Sequence, residues 1–150
     1  MALSSARVTP QRLDGSYNNL VNVGVKTATT LYKGGIVCTD ATGYAVPGAT
    51  ATTLRIIGIL GDQPNLISAP SYTNSGASGS LKLDVRQGTF KLANSGTDAV
   101  VQADVGLNCY IEDDQTVSHT STGKSIAGKV IGLDDATSPT GPGVWVTIPA

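Results

Sequence analysis

Val21, Val23 and Val25 alternate with Asn22, Gly24 and Lys26, the period-two pattern of a strand with one face in a core and one in water. Thr27 to Leu31 extends that strand or begins a second short one. Lys33-Gly34-Gly35 is a turn, because paired glycines take positive φ without steric cost. Ile36 to Thr39 and Tyr44 to Val46 flank Asp40-Ala41-Thr42-Gly43 as the two arms of a hairpin. Leu54 to Leu60 is apolar on both faces apart from Arg55 and Gly58, which predicts a central strand. Leu81, Leu83 and Val85 alternate with Lys82 and Asp84, and Gly88 separates this strand from the next, where Phe90 and Leu92 face the core. Ile126 to Leu133 predicts a second central strand, and Val144 to Ile148 a last one with Trp145 and Thr147 opposite the aliphatic face. Residues 61–80, rich in Ser, Gly and Asn, follow no period, which predicts a surface excursion or a loop that touches a partner.

The pattern occurs twice. An offset of 71 carries Gly35 to Gly106, Ile36 to Leu107, Cys38 to Cys109 and Val46 to Val117, and an offset of 70 carries Ile56 to Ile126 and Gly58 to Gly128. Repetition of this kind bears on the whole fold. It predicts a single β-domain over 18–150 with two pseudo-repeated halves, about 18–85 and 86–150, in which Ile36 and Leu107 occupy equivalent buried positions. Residues 1–17 are polar, contain Pro10, and predict an extended N-terminal arm.

Composition narrows the class. One glutamate stands against 18 glycines and 7 prolines, and Ser, Thr, Asn, Val and Ile supply much of the rest. These residues favour strands and turns and compete with helical hydrogen bonding. The expected fold is all-β, a small barrel-like or sandwich-like domain. A net charge of −1 supplies no basic field for nucleic acid or an anionic membrane surface. No apolar run approaches the roughly 18 residues of a membrane-spanning helix, and Met1 to Gln11 lacks the apolar segment of a secretory signal. Cys38 and Cys109 lie in apolar strands and are expected as buried free thiols.

Candidate chemistry is sparse. Gly123-Lys124-Ser125 resembles the end of a phosphate-binding loop, but position 118 is serine where that loop needs glycine, so it is a turn. His119 is the only histidine and sits among Ser and Thr, which predicts a solvated side chain. Glu112-Asp113-Asp114 lacks the alternating oxygen pattern of a calcium loop and reads as turn chemistry. No serine lies in a nucleophile motif. The expectation is a protein without enzymatic activity and with no cofactor or metal.

The Gly-led strand, polar turn and "Ile-Gly-Ile" or "Ala-Gly-Lys-Val" strand of each half resemble the capsid decoration, or cement, proteins of tailed bacteriophages. Val85-Arg86-Gln87-Gly88-Thr89-Phe90-Lys91-Leu92, running on to Ala103-Asp104-Val105-Gly106-Leu107-Asn108-Cys109-Tyr110, is similar to that family's central stretch, although Asp104 here precedes Gly106 where the family's acidic residue follows its glycine. The resemblance covers roughly residues 20–148. It implies a structural virion protein on the capsid exterior, synthesised in the bacterial cytoplasm. It implies the major capsid protein as partner and a homo-oligomer, with a trimer favoured, and neither nucleic acid nor membrane. A tail- or fibre-associated protein and a carbohydrate-binding β-domain are the alternatives. Arginine, tyrosine and tryptophan anchor interfaces most often. The candidate partner-binding residues are therefore Arg7, Val8, Arg12, Leu13 and Tyr17 of the arm, together with Trp145. An arm used in this way is expected to be dispensable for the stability of the isolated protein.

Overall fold

The computed structural model describes residues 1–12, 19–63, 66 and 69–149. Its strands are β1 (Gln11–Arg12), β2 (Asn19–Gly24), β3 (Thr29–Tyr32), β4 (Ile36–Thr39), β5 (Ala45–Pro47), β6 (Arg55–Leu60), β7 (Ser71–Asn74), β8 (Lys82–Asn94), β9 (Asn108–Ile111), β10 (Thr116–Ser118), β11 (Ile126–Asp134) and β12 (Gly143–Ile148). One 3-10 turn, Gln102–Asp104, precedes β9. The all-β expectation holds.

The strands pair into two rings that share β8. In the second ring the C-terminal part of β8 pairs antiparallel with β12, β12 with β11, β11 with β9, and β9 with β10. That ring closes through a parallel pairing of β10 to β8, Thr116 with Ala93 and Val117 with Asn94. In the first ring the N-terminal part of β8 pairs with β6, β6 with β4, and β4 with β5. Here β2 runs antiparallel along Lys82–Gln87, and a parallel bridge from Val25 to Ala45 closes the ring.

The bonds that close the rings and tie the shoulders to the central strands match. Lys26 N donates to Ala45 O (3.1 Å) where Ser95 N donates to Val117 O (2.9 Å), and Leu60 N donates to Gly35 O (3.0 Å) where Val130 N donates to Leu107 O (2.9 Å). The β4–β6 ladder slips by one residue at Ile57, and the β9–β11 ladder slips at Ala127, the same bulge twice. Gly58 and Gly128 are required by close backbone approach, since an added Cβ would lie 2.1 Å from Arg86 O in one and 2.3 Å from Thr147 O in the other.

The repeat is thus present, with a corrected register. In the hairpins, Cys38 paired with Val46 corresponds to Tyr110 paired with Ser118, an offset of 72 and not 71. Leu107 therefore stands where Gly35 stands. It is 59% exposed against 1% for Ile36, so their expected equivalence is overturned. A one-residue slip exchanges the faces of a strand. The expected division at residues 85 and 86 falls inside β8, which belongs to both rings.

Each ring is filled by its own apolar cluster. Val25, Val37, Ala45, Leu60, Leu83 and Val85 fill the first, and Phe90, Leu92, Cys109, Ile111, Val117, Ala127, Val130, Val144 and Val146 the second. Along β8 the core residues change phase, from Leu83 and Val85 to Phe90 and Leu92. Successive side chains of a strand point to opposite faces, so the two rings lie on opposite faces of β8. Gly88, at φ 145°, marks the handover within one continuous strand, not the break expected there. Ile36, Cys38 and Ile59, on the outside of the first ring, join the core of the second. Each fully buried aliphatic side chain in this seam contributes about 1.5–3 kcal/mol.

The stretch 61–80 is not simply a loop. β7 pairs with β3, and Leu31 and Tyr72 from this ribbon join the first ring's core. Asn74 fixes the return, its Nδ2 donating to Val25 O (2.8 Å) and Ala77 O (3.0 Å) and its Oδ1 accepting from Gly76 N (3.1 Å).

Candidate functional site

The N-terminal arm is the segment on which most of the expected contact residues fall, and it lies along its own chain. Arg7 N donates to Lys33 O (2.9 Å), and Lys91 N donates to Pro10 O (2.8 Å). The Thr9 hydroxyl donates to Gly34 O. β1 then pairs with β8, Gln11 opposite Phe90 and Arg12 opposite Thr89. At its start the arm meets the β9–β10 turn of the second ring. The Met1 amine sits 2.6 Å from Asp113 Oδ2, and Leu3 N donates to Asp114 Oδ1 at 2.6 Å. The arm is therefore a strap across both rings.

Local electrostatics follow from that docking. Burial raises the Asp114 carboxyl above the usual range, against the bond it accepts from Leu3 N. Burial acts on Asp113 in the same direction, but hydrogen bonds from the N-terminal amine, Gln115 and Thr116 outweigh it and hold that carboxyl low. Arg7 is half-buried, its guanidinium turned inward to Gln115 O (3.3 Å) and Lys91 O (3.5 Å), and desolvation lowers its pKa. Val8 alone of the arm's candidate side chains described here points outward, 91% exposed. Leu13 and Tyr17 lie outside the described residues, and for Arg12 the backbone pairing alone is described.

Trp145 is on the outer face of the second ring, as its position in the alternation predicts, but it is covered. Its Nε1 donates to Asp134 Oδ2 (2.9 Å), and Lys91 Nζ stands 5.6 Å from the ring centroid. Lys91 is itself buried. It donates to Asp134 Oδ2 (3.0 Å), Gly141 O (2.7 Å) and the Thr140 hydroxyl, fastening the 135–142 loop over the strand. The hydrogen bonds from Lys91 and then Trp145 hold the Asp134 carboxyl below its ordinary value.

His119 is half-exposed, with Nδ1 2.9 Å from Asp104 Oδ2. Asp104 mainly accepts from Val101 N (2.8 Å), which depresses its pKa with His119 adding to the effect. Lys124 Nζ joins Asp98 Oδ2 (3.1 Å) to the buried Ser118 Oγ (2.8 Å). These groups fasten loops, and Ser118 has no access to solvent. Cys38 and Cys109 are free and buried, as expected, and burial pushes each thiol up to about 12. An open groove between the rings is lined by Thr52, Leu54, Arg55, Lys124 and Ile126. Among the described residues no group of three or more His, Cys, Asp or Glu could hold a metal ion, and no helix is long and apolar enough to cross a membrane.

The roles of Asp113, Asp114 and Lys91 are not legible in the sequence. The acidic pair signalled a turn, which it makes, and nothing in the pattern told that an amine and an amide would dock there. Lys91 between Phe90 and Leu92 signalled an outward side chain, but its cover comes from a loop more than 40 positions away.

Comparison with known proteins finds no matching family model, curated protein or solved structure.

Proposed function

We propose that this chain is a structural virion protein that binds the outer surface of an expanded tailed-phage head and stabilises it against internal pressure. The observation that carries this reading is the build of the molecule. Two rings filled by side chains share one strand and are strapped together by the arm, an arrangement suited to transmitting load between neighbours. The resemblance of 85–92 and 103–110 to the decoration family adds to it. The partner is then the major capsid protein, and the working form a homo-oligomer, a trimer favoured, on the capsid exterior. Linked contacts from one oligomer give firm attachment from modest sites.

A carbohydrate-binding domain would present an exposed aromatic platform, whereas among the described residues Trp145, Tyr72 and Phe90 are buried and Tyr32, Tyr44 and Tyr110 only partly exposed. No observation favours a tail or fibre position over the head. The test is to add purified protein to undecorated, expanded heads and follow DNA release on heating. Release should move to higher temperature, and an unchanged release temperature at saturating protein would contradict the reading.

A further inference from the structure

The two rings carry sister shoulders, the turns Lys33-Gly34-Gly35 and Val105-Gly106-Leu107. Both are bonded to their central strand in the same way, Gly34 N to Leu60 O and Gly106 N to Val130 O, each at 2.8 Å. The first shoulder is covered. An added Cβ on Gly34 would lie 2.0 Å from Arg7 O, one on Gly35 2.9 Å from Leu3 Cδ1, and one on Gly61 2.8 Å from Arg86 Nε. Among the described residues the second shoulder is bare, and a Cβ on Gly106 would meet none of their atoms within 4 Å.

The chemistry of the second shoulder also differs. Where the first has Lys33, Gly35 and Gly61, the second has Val105, Leu107 and Ile131, which are 38%, 59% and 41% exposed, with Val101 exposed beside them. None of these four is charged, and the neighbouring Asp104 is engaged by His119 and Val101.

We infer that this second shoulder is the docking site for an extended, uncharged apolar segment of the capsid lattice protein, an inference that rests on the decoration reading above. The first shoulder shows the mode. An extended segment lies over the turn and donates an amide to the carbonyl of Lys33, and the carbonyl of Val105 is the sister acceptor. Main-chain bonding of this kind supplies affinity while side-chain contacts supply selectivity. The occupant is not this chain's own arm. Each copy has one arm and two shoulders, and the arm is held at the first. Leu107 stands where the first shoulder has Gly35, whose missing Cβ leaves room for Leu3, so the occupant must differ from the arm at the position of Leu3. Contiguous apolar side chains on an otherwise polar surface mark contact sites for other proteins.

The test measures binding of Leu107→Asp and Val105→Asp to undecorated, expanded heads by co-sedimentation, with Leu20→Asp on the exposed face of β2 as control. All three sites are exposed, so each variant should melt within a few degrees of the unmodified protein. The two shoulder variants should lose tenfold or more in affinity and the control less than about twofold. If the unmodified protein binds heads and both shoulder variants bind equally well, this inference is wrong while the decoration reading stands. An equal loss in Leu20→Asp would also overturn it. If the unmodified protein does not bind expanded heads, the decoration reading fails and the docking site with it.

Discussion

Gly34 and Gly106 are one residue in two copies. Both take left-handed backbone, φ 85° and 92°, and both donate to the carbonyl of the strand opposite at 2.8 Å. Over Gly34 lies the arm, and over Gly106 none of the described residues. Substitution separates the shared strain from the unshared contact. Gly106→Ala should cost about 1 kcal/mol, from the positive φ alone. Gly34→Ala adds a Cβ where Arg7 O lies and should cost about 3 kcal/mol or more by displacing the strap. Urea denaturation measures both, and equal costs would mean that the arm does not occupy the first shoulder.

The strap changes what deletion of the arm should do. Removing residues 2–12 breaks the bonds to Lys33, Gly34, Lys91 and Asp114 and leaves Gly34 and Gly35 bare. The melting temperature should fall by about 5 °C or more, whereas a freely projecting arm would leave it unchanged. Thermal unfolding followed by circular dichroism distinguishes the two.

Lys91 and Asp134 should respond unequally to removal. Lys91 is buried and Asp134 is partly exposed. Asp134→Asn leaves a buried ammonium without its carboxylate, the costly way to break such a pair. Lys91→Met removes the buried charge, keeps much of the stem volume, and leaves Asp134 bonded to Trp145 Nε1 and Ser138. Asp134→Asn should therefore melt lower than Lys91→Met by about 5 °C or more. The reverse order would show that the ammonium is not dependent on Asp134.

The two thiols give a pH dependence of definite sign. Burial raises each from 9.0 to about 12, so the unfolded chain ionises first and stability falls as pH climbs above 9, levelling near 12. The limiting slope is about 1.4 kcal/mol per pH unit for each thiol. Cys38→Ala/Cys109→Ala should be less stable at neutral pH from lost packing, yet lose less between pH 9 and 11 than the unmodified protein. Parallel stability curves would refute the assignment.

The repeat was legible because Gly58 and Gly128 are both demanded by close backbone approach, so the same signal survives in each copy. Its register was not, for two physical reasons. Gly34 and Gly35 are adjacent, and either aligns with Gly106. β4 is buried on both faces, so Ile36, Val37 and Cys38 show no alternation that would fix the phase. β7 escaped notice because Ser71, Thr73 and Asn74 carry no apolar period, and the strand is held by pairing to β3 and by the Asn74 bonds. The arm's destination was invisible for a similar reason. Its partners are backbone carbonyls and turn carboxylates, which leave no pattern in the arm itself.

Decoration of the head is read out by counting the copies bound. Undecorated, expanded heads are titrated with labelled protein, sedimented, and the bound copies counted per capsid. Binding should saturate at a fixed copy number commensurate with the threefold positions of the lattice, with little binding to unexpanded heads. Absence of saturable binding to expanded heads would contradict the decoration reading.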